Sequence, residues 1–358
     1  MADPGFPSRI AFIGGYGHHR VFRLLEDPEI RRPAVAVAPG RKDTAASLEL
    51  ASSLGDHQWF DSAEALYQDF KPELVSIGSV FGFNGDLVEC ALRHQVPVIC
   101  EKPLASNWEQ LRRIERALLT FPGPVLTEFP SRSSRAIRSA WAAIADGAIG
   151  QVVLVTAQKS YRFGDRPGWY ADRDRYGGTI LWVAGTMIDL VPFVTGMRVA
   201  RVHGVQGNLS QPGFGTMEDH TVTVMEFEGG GAAVIHADYL LPDTSPTHGE
   251  DRIRIAGSRG VIEVRNGRCE LMNREHGPKD ITDTTQPPAL HQELLDAVAD
   301  SSHAIYNTHE SLKTAALLLD CRDAADNGRT VRVSAPAAID DRAESPAEQP
   351  TDRSGLTK

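Results

Sequence analysis

Cysteine is scarce in this chain of 358 residues: Cys90, Cys100, Cys269 and Cys321 are all there are. None forms a CxxC pair or a metal-like cluster, so no disulfide framework and no metal site is expected, and a reducing, cytoplasmic compartment is the simpler reading. Positive charge is also in deficit, with 37 Lys and Arg against 47 Asp and Glu for a net charge of −10. That balance argues against a general grip on nucleic acid, which needs a basic surface. The opening stretch from Met1 to Arg9 is short and polar and lacks an apolar signal core. One long apolar run exists, residues 179–196, and it carries Asp189 and several glycines. A bilayer would penalise that carboxylate, so the run reads as a buried helix of a soluble domain and no membrane partner is expected.

What is present is ordinary globular composition, 41% hydrophobic and 23% charged, in a chain long enough for two domains. Over the first ~125 residues, short apolar runs (9–13, 34–38, 74–78, 97–100, 124–127) alternate with helical patterns (21–26, 44–54, 62–70, 85–94, 107–119). Strands apolar on both faces and separated by helices predict a doubly wound parallel sheet, an α/β Rossmann domain over residues 1–125. Beyond residue 151 the texture changes. Alternating segments at 151–160, 221–227, 231–239, 252–256, 261–264 and 268–272, separated by glycine turns, predict a mostly antiparallel sheet. Helical patterns follow at 289–300 and 312–326, so residues 126–334 read as an α+β domain. Residues 335–358, rich in Pro, Ala, Glu, Asp and Ser, read as a disordered tail.

The first strand runs into Gly14, Gly15, Tyr16, Gly17, His18 and His19. Glycines at the first strand–helix corner allow a tight turn and close backbone approach to a pyrophosphate. The match to GxGxxG is imperfect: counting from Gly14 puts Tyr16 and His19 in glycine positions, and counting from Gly15 leaves Arg20 last. Gly78, closing the third strand, is a further candidate for the cofactor side. The second strand ends Val37-Ala38-Pro39-Gly40-Arg41-Lys42. An NAD site usually carries an acid there for the ribose 2′-hydroxyl, whereas cations accommodate a 2′-phosphate, so Arg41 and Lys42 point to NADP with NAD as the alternative. The competing reading has both cations merely solvating a loop while Asp43 turns inward.

Cys100-Glu101-Lys102-Pro103-Leu104-Ala105 follows the fourth apolar run. Together with the glycine turn, Glu218-Asp219, the turn from Ala256 to Glu263 and the late Arg322-Asp323-Ala324-Ala325, it resembles the glucose–fructose oxidoreductase, inositol dehydrogenase and rhizopine catabolism family (Gfo/Idh/MocA). The resemblance covers about residues 9–333. It implies a Rossmann domain followed by an open-faced antiparallel sheet with helices on one side, and assembly through that sheet into a homo-oligomer, a dimer or tetramer. It also implies NAD(P)-dependent hydride transfer at a hydroxyl of a sugar or cyclitol. Lys102, at a strand's carboxyl end, suits that chemistry, because burial lowers a lysine pKa and its ammonium can hydrogen-bond a reacting oxygen. Glu101 would orient it, and a cis Lys102–Pro103 bond is expected.

The resemblance breaks at one segment. Members of the family carry an Asp and a His four residues apart on one helix; here those places hold Trp182 and Thr186, while Asp189 is kept in what reads as a structural role. A threonine hydroxyl is not a base near neutral pH. Lys102 therefore stands as the main catalytic candidate, with Tyr161, Thr186 or a bound water assisting. Candidate substrate contacts are Arg132, Lys159, Arg166, Trp169, Tyr170 and Trp182, a set mixing charge with aromatic surface. Arg132 belongs to a segment, Glu128 to Arg132, at the carboxyl edge of the sheet. Two functions follow: an oxidoreductase acting on a sugar-like small molecule, or a non-catalytic sensor or subunit that binds cofactor or sugar on the same scaffold.

Overall fold

The computed structural model describes residues 6–27, 32–285 and 287–335, so the tail expected over 335–358 lies, apart from its first residue, outside the described residues. The first sheet holds β1 (Arg9–Ile13), β2 (Ala34–Ala38), β3 (Gln58–Trp59), β4 (Leu74–Ile77), β5 (Val98–Glu101) and β6 (Val125–Glu128). Their order is β3-β2-β1-β4-β5-β6 and every pairing is parallel. β4, β5 and β6 are buried along their whole length, which explains why they read as unbroken apolar runs. The order reverses beside β1, and the crevice above β1 and β4 is where open α/β sheets hold ligands. The sheet continues to Glu128, three residues past the boundary the texture suggested.

The second sheet is built from β7 (Val152–Arg162), β8 (Val199–Gly207), β9 (His220–Phe227), β10 (Ala232–Leu241), β11 (Gly249–Gly257), β12 (Gly260–Arg265), β13 (Arg268–Asn273), β14 (Lys279–Asp280) and β15 (Val331–Arg332). It is antiparallel apart from the β7–β10 pair, which is parallel. Burial alternates along β9 and β10, so one face is core and the other is open. Helices Arg135–Ala145, Gly185–Thr195 and Thr308–Asn327 cover the core face. The stretch Arg173–Thr195 is long and apolar enough to cross a membrane, but 89% of its most apolar window is buried inside the fold.

The two halves are stapled together. Leu294 and Leu295 of helix Leu290–Ala299 pack with Ile10, Phe12 and Val37 of the first sheet. Arg322 donates to the carbonyls of Ser106 and Gly177, and the Trp108 indole donates to Asp323 at 2.7 Å. The kept Asp189 lies in the same interface: it accepts two hydrogen bonds from Arg132 and one from Thr314, and Arg132 also donates to the Ile305 carbonyl. Arg132 and Asp189 are 3% and 1% exposed. Asp189 has the structural role expected of it. Arg132, expected at the substrate, is instead committed to the core, because a buried guanidinium needs a carboxylate partner.

Replacing Asp189 by Asn leaves the Arg132 charge buried without its counter-ion. Urea denaturation should show a loss of about 3–5 kcal/mol. A double replacement, Arg132→Met with Asp189→Leu, should recover most of it, and an Asp189→Asn protein as stable as the parent would refute the pairing.

Candidate active site

The corner after β5 is held by Asn84, whose side-chain amide donates to the carbonyls of Glu101 and Pro103 at 3.1 and 3.2 Å. The Lys102–Pro103 bond is cis. Lys102 is 6% exposed. Its Nζ donates to the Trp182 carbonyl at 2.6 Å and lies 3.6 Å from the centre of the Trp182 ring. Trp182 sits in a widened, π-helical turn, Ile180–Ala184, entered through Gly177 and Gly178 at φ 85° and 106°. Such a turn interrupts the regular helical hydrogen-bond ladder and is common at functional sites. Glu218 fixes the entry by accepting from the Thr179 amide at 3.0 Å while pairing with Arg173. Burial pushes the Lys102 pKa down to about 7, against the opposing pull of Glu101.

The Trp182 ring is a hub. Phe81 stacks on it with centroids 4.0 Å apart, and the His18 imidazole lies parallel to it at 6.3 Å and 9°. Phe81 also meets Trp169 edge-on at 4.9 Å, and Trp169 meets Tyr16 at 5.2 Å. Trp169 and Tyr170 are buried, and Tyr170 stacks on Tyr176 at 4.5 Å. Arg166 lies over the rings of Tyr170 and Tyr239. These residues form the aromatic wall joining the two domains, with the Trp169 indole N–H buried and lacking a partner.

The glycine turn is compact. A Cβ on Gly14 would stand 2.6 Å from the Gly78 carbonyl oxygen, and one on Gly17 2.6 Å from the Gly78 Cα, so the turn lies directly on the end of β4. The amides of Tyr16 and Gly17 both donate to the Gly78 carbonyl, that of His18 to Glu101, and that of Arg20 to Glu128. His19 points inward: its ring nitrogens bond Ser76 and the Gly14 carbonyl at 2.8 and 2.9 Å, and burial lowers its pKa to about 4. His19 thus pins the turn to the sheet rather than presenting itself to a cofactor. Arg41 and Lys42 both lie 5.9 Å from the Phe83 ring centre, with the Arg41 side chain 62% exposed. Asp43 turns away, accepting from Ser79 at 2.6 Å and from Ser47 at 3.1 Å, so the acid nearest the tip is committed elsewhere.

On the second domain, a cleft of about 400 Å³ is lined by Lys159, Tyr161, Met187, Asp251 and Arg252 among others. Lys159 pairs with Asp251 at 2.6 Å and lies 4.8 Å from the Tyr161 ring centre. Thr186 is buried in the first turn of the helix carrying Met187. The structure thus gathers Lys102, Trp182, Glu101 and His18 in one place and sets Lys159 and Tyr161 on a neighbouring cleft.

Sequence reasoning placed Glu128 only within a segment of possible ligand contacts and gave no role to Arg20 or Phe81. Glu128 stands opposite Glu101 in the β5–β6 register, a pairing visible only once the strands are placed. Its Oε1 accepts the Arg20 amide while Oε2 is buried without a hydrogen bond, as is the Arg20 Nε. Burial and the facing Glu101 push the Glu128 pKa up to about 8. Burial would raise Glu101 too, but hydrogen bonds from His18 and the nearby Lys102 outweigh it and hold Glu101 down at about 2.

The site fits a dinucleotide. A glycine shelf lies over the switch point, exposed cations flank an aromatic ring at the end of β2, and a buried lysine closes the far side. With most of the turn's amides engaged by protein acceptors, side chains such as Arg20, Arg41 and Lys42 are the cationic groups at hand for phosphate.

The raised Glu128 pKa has a thermodynamic consequence. The native state holds that proton up to about pH 8, while an unfolded glutamate releases it near 4.3. Between those values the unfolded chain binds fewer protons, so the residue lowers stability as pH rises. Urea melts of Glu128→Gln and the parent at pH 5, 6.5 and 8 should show the variant gaining steadily on the parent. A constant difference would contradict the assignment.

Two family models match the chain, one described as an oxidoreductase family with an NAD-binding Rossmann fold over residues 9–120, the other as the GFO/IDH/MocA C-terminal domain over residues 137–263. D-apiose dehydrogenase of Rhizobium rhizogenes is 23% identical over 313 residues, 80% of this chain and 86% of that protein. D-xylose 1-dehydrogenase (NADP(+)) 2 of Haloferax volcanii is 26% identical over 297 residues, 80% and 85% of the two chains. A solved structure from Thermotoga maritima superposes with a TM-score of 0.84 at 28% identity, covering 91% of this chain and all (100%) of that one. The chain therefore belongs to the Gfo/Idh/MocA family of oxidoreductases with an NAD-binding Rossmann fold.

Proposed function

We propose that this protein moves a hydride between a nicotinamide dinucleotide and a hydroxyl or carbonyl carbon of a sugar, cyclitol or sugar derivative. The carrying observation is Lys102, buried at the carboxyl edge of β5 with its pKa brought down to about 7. When bound, the dinucleotide supplies or accepts the hydride. Lys102 holds the reacting oxygen through a hydrogen bond and stabilises its alkoxide character. To reach a substrate, its ammonium exchanges the Trp182 carbonyl for the substrate oxygen, and the Trp182 ring offers the sugar an apolar face. Lys159 and Tyr161 contact substrate from the adjoining cleft, with Tyr161 and Thr186 as hydrogen-bonding groups. The aromatic wall of Trp169 and Tyr170, with Arg166 over it, bounds the pocket. The named substrates of the curated relatives, D-apiose and D-xylose, are of this chemical class.

NADP is the cofactor we assign. Arg41 and Lys42 flank Phe83 at the end of β2, and Asp43 is withdrawn to Ser79 and Ser47, so a 2′-phosphate meets two cations, Arg41 exchanging its 3.4 Å ion pair with Asp86 for the phosphate. Gly14, Gly15, Tyr16, Gly17 and Gly78 line the pyrophosphate side, the His18 amide and ring being turned to Glu101 instead, and Glu101 orients Lys102. We also assign a cytoplasmic location and assembly into a homo-oligomer through the open sheet face, where Leu154 and Val205 are exposed.

A second reading is a non-catalytic sensor of cofactor or sugar. One observation favours it: Trp182 closes over Lys102 with both its ring and its carbonyl.

A panel of sugars, cyclitols and sugar acids with NADP and NAD, read by reduced-nicotinamide absorbance, separates the two. Lys102→Ala should lower kcat by about 100-fold or more with dinucleotide Kd unchanged. Full activity in that variant would remove Lys102 from the mechanism, and tight dinucleotide binding with no turnover would establish the sensor. Arg41→Ala should weaken NADP about tenfold while leaving NAD unaffected, the loss of one charge-assisted phosphate contact. An unchanged preference would overturn the cofactor assignment.

A further inference from the structure

The helix that should present an imidazole presents Thr186, so the proton of a hydroxyl undergoing oxidation needs another acceptor. Lys102 is poorly placed to take it alone, being 6% exposed and already donating to Trp182. The glycine turn brings an imidazole to the same ring. His18 lies parallel to Trp182, whose ring centre is 3.6 Å from the Lys102 Nζ. The His18 Nδ1 is hydrogen-bonded to Glu101 Oε2, and its own backbone amide donates to the same oxygen at 3.0 Å. Glu101 is 3% exposed, whereas the His18 side chain is 53% exposed.

A carboxylate on Nδ1 fixes the tautomer with the hydrogen there and leaves Nε2 with its lone pair, ready to accept a proton. The arrangement is a histidine–carboxylate pair, in which the acid orients the ring and stabilises the imidazolium that forms. Other histidines near the site are engaged differently. His19 has both nitrogens bonded inside the fold, His220 is held by Asp219, and His248 lies against Tyr161 and Arg166.

We infer that His18 is the general base of the site, oriented by Glu101, and that it replaces the imidazole the helix lacks. The assignment rests on the oxidoreductase reading above. In the oxidative direction the carbinol C–H bond breaks, and its electron pair leaves as hydride to the oxidised nicotinamide dinucleotide. The O–H bond breaks, its electron pair forms the carbonyl π bond, and its proton passes to His18 Nε2. The half-exposed imidazolium then releases that proton to water. The charged and titratable groups around His18 are Glu101 and Lys102 at the end of β5, Glu128 at the end of β6, and Arg20 and His19 on its own segment. Lys159 and Asp251 lie within electrostatic reach of Lys102.

The test combines turnover with two readouts that need none. In His18→Gln and His18→Asn, dinucleotide Kd from tryptophan fluorescence should stay within about threefold of the parent, while kcat falls about 100-fold. In His18→Ala, added imidazole should restore kcat at least tenfold. In histidine-labelled protein without cofactor, the ring-nitrogen NMR shifts of His18 should report the tautomer with hydrogen on Nδ1, and that preference should be lost in Glu101→Gln. Unchanged kcat in both His18 variants overturns the assignment, as does a loss confined to dinucleotide affinity, or a His18 tautomer indifferent to Glu101→Gln. If the parent itself oxidises none of the panel, the oxidoreductase reading fails instead, and the tautomer readout still reports whether the pair exists.

Discussion

A lysine ammonium enclosed at the end of a buried strand needs compensation, and here Trp182 provides it twice, through its carbonyl and through its ring. Much of the site's geometry follows from that contact. The widened turn that carries Trp182 is entered through two left-handed glycines and fixed by Glu218, so the β9 end of the second sheet helps set where the lysine's partner lies. Phe81 stacks on the same ring from the first domain, and Trp169 and Tyr16 extend the contact across the junction. The catalytic corner and the domain interface are thus one packed unit.

Electrostatics adds a second constraint. Two glutamates lie opposite one another on β5 and β6 in a buried environment, and both cannot carry charge cheaply. Glu101, hydrogen-bonded by His18 and beside Lys102, keeps the charge; Glu128, with one oxygen lacking a partner, holds its proton. Groups whose environments drive their pKa values apart in this way cluster at functional sites. The same constraint places one negative charge between one lysine and one imidazole.

Much of this architecture is legible in the sequence. β1 and β2 fall where the unbroken apolar runs put them, because strands buried on both faces leave a strong signal. Helix Arg135–Ala145 has a clear apolar stripe through Ile137, Ala140, Trp141 and Ile144 and is readable only as the helix that Arg132 introduces, without bounds, and β8 is missed because Gly204 interrupts its alternation. At the site, the Glu-Lys-Pro corner is readable from its position after a strand. The inward turn of His19 and the commitment of Arg132 to Asp189 are not, because each depends on a partner at least 57 positions away along the chain. The Glu101–Glu128 pair is hidden for the same reason: register between neighbouring strands is a tertiary fact.

The central claim, that a nicotinamide and a sugar carbon exchange a hydride beside Lys102, is tested most directly by following the hydride itself. Reduced NADP carrying deuterium at C4 would be incubated with the protein and a pooled set of keto-sugars and aldonolactones, and the sugar products analysed by mass spectrometry. The account predicts one deuterium on a new carbinol carbon. Deuterium that stays on the dinucleotide while the dinucleotide is demonstrably bound would contradict it.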